Sequence, residues 1–255
     1  MGSCLASLVI STFQRPHLLK WGLESIARQQ IPFEYEIIVV NDGVMDETEK
    51  ICAEYSHRLN VRYIFSGQRN LGGTLNWRVP GFAINIGARQ ATGRVLLISC
   101  AEIYHLNSTL AALVSPILSN NTLMTIPAGK DDRSGAFLNS VISSSGGYDP
   151  RLYDTLPDLN VRLPFLLALD RVHFNAIRGY DEDFTGIAFD DDDLVGRLLA
   201  YGLRYHQTSA RIVHLYHPRY VYETGMNAAW HYNRNLYLTR QGVLVRNTTR
   251  EWGKL

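Results

Sequence analysis

Two short apolar runs constrain the fold of this chain most. Residues 5–11 (LASLVIS) and 35–40 (YEIIVV) are apolar and β-rich, the pattern of strands buried in a parallel sheet. Between them, Pro16 suits the first turn of a helix whose apolar face carries Leu18, Leu19, Trp21, Leu23 and Ile26. A helix at 48–57 and a strand at 61–65 continue the alternation. The order predicts a doubly wound α/β sheet, with ligands at the carboxyl ends of its strands. That rule brings residues 12–15 and Asn41-Asp42 to one rim. There Asp42 either accepts hydrogen bonds from a base or ribose, or only caps the turn with Gly43.

The remainder continues the pattern. A Gly- and Asn-rich loop at 66–80 carries Arg69 and Arg78, whose planar donor forks suit phosphate or base contacts, although a lone surface arginine is the commoner case. A helix is predicted at 81–91, and a strand at 95–99 runs into Cys100-Ala101-Glu102. Glu102 interrupts an apolar stretch, so it needs a cation or a place at the open end of the strand. A helix at 109–118 and a strand at 122–126 follow. Residues 131–160, rich in Gly, Ser, Asp and Pro, read as a long flexible excursion. Regular structure resumes at 163–177, short strands are predicted at 204–205 and 211–213, and a terminal helix at 230–238. The basic tail 240–254 either packs on the domain or waits for a partner.

With 255 residues, 46% of them hydrophobic and 19% charged, one large α/β domain is expected. A net charge of +1 gives no electrostatic case for nucleic acid. Cys4, Cys52 and Cys100 form neither a disulfide framework nor a CxxC zinc pattern, which points to a reducing compartment. No apolar run is long enough to span a bilayer, and the first residues lack a signal-peptide pattern. A cytoplasmic location is expected; a peripheral membrane position and a homo-oligomer are both compatible with it. Neither GxGxxG nor GxxxxGK[ST] occurs after the first strand.

The most charged feature lies at 179–202. Asp190, Asp191, Asp192 and Asp193 stand in a row where a helix begins, and Leu194, Leu198, Leu199 and Tyr201 recur at helical spacing behind them. Each carboxylate there gains roughly 0.3–1 kcal/mol from the helix dipole, but four adjacent ones repel, and capping needs only one or two. A solvated, over-acidic helix start is the ordinary explanation. The apolar flank Phe184, Ile187, Ala188 and Phe189 argues instead for a pocket wall, where partial desolvation makes a carboxylate a general base. Farther on, His214 and His217 are spaced to share a metal, although such a pair is more often structural.

Taken in order, these segments resemble GT-A glycosyltransferases of the family 2 type. SLVISTFQRP is similar to their first strand and nucleotide loop, IIVVNDG to the segment with their nucleotide-binding aspartate, and GFAINIGARQATGRVLLISCAEI to the helix and strand leading into their DxD metal motif. GYDEDFTGIAFDDDDLVGRL resembles their Gly-Phe-Asp-Glu segment and base-bearing (E/D)DxDL helix. Together with HLYHP, the acidic helix is also similar to the carboxyl-terminal part of β-1,4-galactosyltransferases. The resemblance runs from about Ser7 to Pro218.

It implies a single GT-A domain with a Rossmann-like, mostly parallel sheet flanked by helices. The nucleotide-binding half would cover about 1–105, the acceptor and catalytic half about 106–220, and a helical tail about 221–255. Ser11, Phe13 and Gln14 would line the uracil pocket, Asp42 would meet the base, and Arg78 would reach the nucleotide. Asp191 would be the catalytic base, with Asp190, Asp192 and Glu182 near the acceptor or donor sugar. Glu102 and His217 would hold Mn2+ or Mg2+, with His214 an additional ligand. One departure is visible: Cys100 stands where the motif has its first carboxylate.

The implied activity is inverting transfer from a nucleotide sugar, expected to be a UDP-sugar, to a hydroxyl of a glycan, lipid-linked or other acceptor, as in polysaccharide biosynthesis. The alternatives are a catalytically impaired sugar-nucleotide-binding protein on the same fold and a nucleotidyltransferase.

Overall fold

The structure, a computed structural model, describes residues 4–67, 79–218 and 226–255, with side chains of the last segment described from residue 228. Arg69 and Arg78 lie outside the described residues. The first half alternates as expected: β1 (Ala6–Thr12), α1 (Pro16–Ala27), β2 (Tyr35–Asn41), α2 (Thr48–Tyr55), β3 (Val61–Phe65), α3 (Gly81–Gln90) and β4 (Val95–Cys100). β1 is buried along its whole length between parallel neighbours β2 and β4, and β3 lies outside β2. Alternate residues of these strands enter different cores. Leu8, Ile10, Ile37, Val39 and Leu97 pack with Leu19, Leu23 and Ile26 of α1, whereas Val9, Ile38, Val40, Leu96 and Ile98 pack with Ala83, Ile84 and Ile86 of α3. Each buried aliphatic side chain contributes about 1.5–3 kcal/mol, so both faces are apolar and the run reads as continuous.

Among the described residues, six of the eight strands point the same way. β7 (Leu166–Asp170) is antiparallel both to β4 and to β6 (Leu123–Asp131), so β6 shares β4's direction; β8 (Arg204–His214) is parallel to β6. β5 (Ile103–His105) runs against β8 and closes the order β3-β2-β1-β4-β7-β6-β8-β5. The mostly parallel GT-A sheet is thus present, and the carboxyl ends of β1, β2, β4 and β8 share one rim.

Two expectations are corrected. Residues 131–160 are not a flexible excursion: α5 (Ala136–Ser143) and α6 (Pro150–Thr155) lie within them. Phe137 and Val141 are buried with Leu18, Tyr104 and Val213, and the Asp132 carboxylate accepts from Gly135 N at 2.9 Å and Leu138 N at 2.8 Å. The Gly, Ser and Asp that read as loop composition serve here as turn and cap residues. The pair of short strands is one strand, β8, whose pairing with β6 shifts register between Ile126 and Ala128. Regular structure at 163–177 divides into β7 and the short helix α7 (Arg171–Ala176).

The remaining helices are α4 (Thr109–Ser119), α8 (Asp190–Ala200) and α9 (Met226–Thr239). The basic tail packs on the domain, with Trp252 in the α3 core. Among the described residues, no helix is long and apolar enough to cross a membrane.

Candidate active site

At the shared rim the strand ends enclose a cavity of about 400 Å3. Ser11 and Thr12 enter it from the end of β1 and Phe13 just after it, Asp42 just after β2, Cys100 from the end of β4, Glu102 between β4 and β5, and His214 from the end of β8. Pro80, Ala83 and Ile84 line it from the start of α3, and Phe165, Tyr180 and Asp191 are also in the lining. Asp42 is 2% exposed, and its Oδ1 accepts from the Ser66 hydroxyl at 2.7 Å.

Glu102, 3% exposed between β4 and β5, is fixed by the ladder: Leu215 N donates to its carbonyl at 2.8 Å. Cys100, Glu102 and His214 each offer a ligand atom, and these atoms lie within 4.8 Å of one another. The guanidinium of Arg15 is ion-paired with Glu102, which marks this as a place where positive charge is stabilised. Register supplies His214 with its partner. It sits opposite Asp131 in the β6–β8 ladder, and its Nδ1 is 3.1 Å from Asp131 Oδ1. A carboxylate on one ring nitrogen orients imidazole so that the other can ligate, a common arrangement around metals. Buried oxygen and nitrogen donors beside a half-buried sulfur, with a cation already drawn to the carboxylate, fit a divalent ion. Burial pushes the Cys100 thiol up to about 12.

The close group therefore pairs Glu102 with His214 and Cys100, whereas the sequence reading pairs Glu102 with His217. His217 lines the same cavity, its ring 5.1 Å from that of His214, with Nδ1 2.9 Å from the Pro218 carbonyl.

The four aspartates of α8 separate into different environments. Asp191 lines the cavity and accepts from the Tyr180 hydroxyl at 3.0 Å. Burial raises its pKa to about 6; the Tyr180 hydrogen bond opposes this and the neighbouring Asp192 charge adds to it. Asp190 is 4% exposed and pushed well above the carboxylate range, by burial first and then by the Asp191 charge. Asp192 is exposed. Asp193 is buried between Arg197 and Arg246, each at 2.7 Å. Repulsion within the run is thus relieved by paired cations at Asp193, while burial at Asp190 and Asp191 disfavours the charged form.

Asp193→Ala is expected to cost about 3–5 kcal/mol by leaving buried arginines uncompensated, whereas Asp192→Ala shifts stability by less than about 0.5 kcal/mol. Thermal unfolding of the two variants checks this; equal melting points would remove the structural role from Asp193.

The segment before α8 is fastened from both ends of the chain. Asn85 of α3 accepts from Tyr180 N at 2.8 Å and donates to Tyr180 O and Glu182 Oε1, both at 2.9 Å. Gly179 has φ +66, and a methyl there would run into Asn85 Oδ1, so this close approach requires glycine. Glu182 is occupied by these contacts and by Gly253 N at 2.7 Å, and does not line the cavity. Arg240 pairs with Asp181 and Asp183, and Arg250 with Asp183.

Of the sequence-derived nucleotide residues, Ser11, Phe13 and Asp42 line the cavity. Gln14 does not: it is exposed, with φ +55, in the turn after β1. Arg78 lies outside the described residues. Sequence reasoning placed Arg15 on the rim without giving it a role, and it did not single out Asp131, Phe165 or Tyr180. Tyr180 had a signal, being the aromatic residue of the Gly-Tyr-Asp-Glu segment; Asp131 had none, because strand register makes it a neighbour of His214.

Residues 7–178 match the family model described as glycosyl transferase family 2, and residues 165–219 match that described as the N-terminal domain of galactosyltransferase. Validoxylamine A glucosyltransferase of Streptomyces hygroscopicus subsp. limoneus is 30% identical over 228 residues, covering 78% of this chain and 49% of its own. This chain thus spans about half the length of that relative. Among solved structures, Staphylococcus aureus TarS 1–349 in complex with UDP-GlcNAc aligns with a TM-score of 0.64 at 17% identity, covering 92% of this chain and 66% of that one. GalNAc-T7 with UDP, GalNAc and Mn2+ aligns with a TM-score of 0.60 at 18% identity, covering 84% and 44%. At these identities the structural likeness carries the fold.

Proposed function

This chain belongs to glycosyl transferase family 2, and from that premise we propose that it transfers a sugar from a UDP-sugar to an acceptor hydroxyl with inversion at the anomeric carbon. The observation that carries this reading is the meeting in one cavity of Asp191, the rim residues Ser11, Phe13 and Asp42, and the Cys100/Glu102/His214 group. UDP in the two solved neighbours supports the choice of nucleotide.

Asp191 acts as general base. Its carboxylate takes the acceptor's proton as the acceptor oxygen bonds to the anomeric carbon and the bond to the diphosphate breaks. A base that titrates near neutrality is unprotonated at working pH yet basic enough to help. The Tyr180 hydroxyl fixes one carboxylate oxygen and leaves the other for the acceptor. Ser11 and Phe13 flank the uracil, and Asp42 accepts from it.

Glu102 and His214 would hold a divalent ion, with Cys100 beside them and His217 as an additional ligand. This mixed donor set suits Mn2+ better than Mg2+, which favours oxygen alone. When bound, the ion supplies positive charge for the departing diphosphate. Asp131 keeps His214 in the ligating orientation. The three free cysteines accord with a reducing, cytoplasmic setting.

A second reading, nucleotide-sugar binding without turnover, is favoured by one observation: the thiol of Cys100 where the motif has a carboxylate. Release of UDP from UDP-glucose, UDP-GlcNAc and UDP-galactose, with GDP-mannose as control, separates the two when measured with Mn2+, with Mg2+ and with EDTA. Metal-dependent UDP release is expected. UDP binding without turnover of any donor would favour the second reading, and absence of nucleotide binding would defeat both.

A further inference from the structure

Asp191 is aimed by an unusual piece of backbone. Ala188 and Phe189, the two residues before α8, have φ +72 and +70. Neither is glycine, and consecutive non-glycine residues in the left-handed region persist only where their surroundings hold them. The surroundings here are one face of α9. Asn233, 0% exposed, accepts from Thr185 N at 3.1 Å and donates to the carbonyls of Thr185 at 2.7 Å, Ile187 at 2.8 Å and Ala188 at 3.0 Å. Trp230 and Tyr237 grip the Phe189 ring at 5.2 and 5.7 Å between centroids. Positions 230, 233 and 237 share a helix face, so one stripe of α9 clamps the turn and its last side chain together. This stripe lies beyond both family-model matches, which end at residues 178 and 219.

We propose that Asn233 is a positioning residue for Asp191, its buried amide holding the 185–188 turn in the backbone that delivers the carboxylate to the cavity. The proposal rests on the reading of Asp191 as the base. The two amide hydrogens are shared among three carbonyls of the turn, and Asn233 is 45 residues or more away in sequence from each. Removing it leaves the Phe189 ring held by Trp230 and Tyr237 but takes away the hydrogen bonds that hold the backbone of the turn, and the start of α8 relaxes. A carboxylate displaced by about 1 Å from its acceptor loses roughly 100-fold in rate.

The test compares Asn233→Asp, which keeps the shape and the acceptor but loses the donors, and Asn233→Ala with the intact chain. Asp191 is read by carboxyl-carbon NMR titration, its resonance identified by its loss in Asp191→Asn. The titrating neighbours are Tyr180 from the preceding segment, Asp190 and Asp192 on α8, and Cys100 across the cavity. In both Asn233 variants the Asp191 midpoint is expected to fall toward the ordinary carboxylate range as the group becomes solvated. Metal-dependent UDP release from UDP-GlcNAc or UDP-glucose falls roughly 10- to 100-fold in kcat, with the donor KM held within about twofold. Adding Ala188→Gly to Asn233→Ala restores part of the kcat, because glycine takes a positive φ unaided.

A role in stability alone would lower the melting temperature and the active fraction without moving the midpoint; that result, or an unchanged kcat, overturns the proposal. If Asn233→Ala does not fold, Asn233→Ser, which keeps one donor, is read by the same two criteria. Should Asp191→Asn itself remain active, the reading of the base fails. An inactive Asp191→Asn beside unaltered Asn233 variants sinks only the clamp.

Discussion

Asp191→Asn is expected to abolish sugar transfer, leave UDP affinity nearly unchanged and raise the melting temperature at neutral pH. The first effect follows from the assigned role, since a positioned general base contributes roughly 100- to 10,000-fold. UDP affinity is spared because the base serves the acceptor and the nucleotide is assigned to Ser11, Phe13 and Asp42. The gain in stability comes from the same burial that makes the carboxylate basic. Its pKa in the folded chain is raised from 3.8 to about 6, so across that window the folded state holds a proton that the unfolded state has released. Folding is therefore weakened as pH rises through the window, and above about pH 6 the whole penalty is present. Asparagine carries no such penalty. The difference in melting temperature between variant and parent should be greatest above pH 6 and close as pH falls below about 4. Thermal unfolding across that range, paired with UDP release, reads both effects from one variant. An active Asp191→Asn beside an inactive Asp192→Asn would move the base to the neighbouring carboxylate. A variant that melts lower at every pH would make Asp191 a structural residue.

The separation of the four aspartates marks where sequence reading stops. That a carboxylate of the run served a site was legible, because four adjacent charges exceed what a helix start needs and the flank is apolar. That Asp193 is an internal counter-ion was not, since Arg246 lies 53 residues downstream and meets it only after α9 has turned the tail back. The basic character of that tail and the acidic character of the run were both visible; their pairing required the fold. The same limit applies to the sheet. β1, β2 and β4 were legible because strands buried on both faces write continuous apolar runs. β5 has three residues, too few for any period, and the insertion of β7 between β4 and β6 is a fact of topology. Residues 131–160 misled because Asp132 and Asp149 cap helices with the residue types that elsewhere make loops.

The metal group gives the second large effect. Glu102→Gln and His214→Ala should each weaken Mn2+-dependent UDP binding by tenfold or more, and the double variant should lose less than the sum, as expected of groups that share one ligand. Asp131→Asn, which touches no nucleotide, should lower Mn2+ affinity by about 10- to 100-fold by freeing the His214 ring from the carboxylate at its Nδ1. His217→Ala should cost less than His214→Ala, because its ring stands outside the close group of three. Cys100 decides between two physical outcomes. Cys100→Asp adds an oxygen donor, which should shift preference from Mn2+ toward Mg2+. It also places a second carboxylate beside Glu102 in a site where burial already holds the thiol protonated, and that desolvation lowers the melting temperature. Calorimetric titration of UDP with each ion, with the melting temperature of the same samples, distinguishes gained ligation from lost stability. Undiminished UDP binding and turnover in EDTA, together with an unaltered Glu102→Gln, would show that the ion pair with Arg15 is the permanent state of this carboxylate and that the diphosphate is neutralised by the protein's own cations.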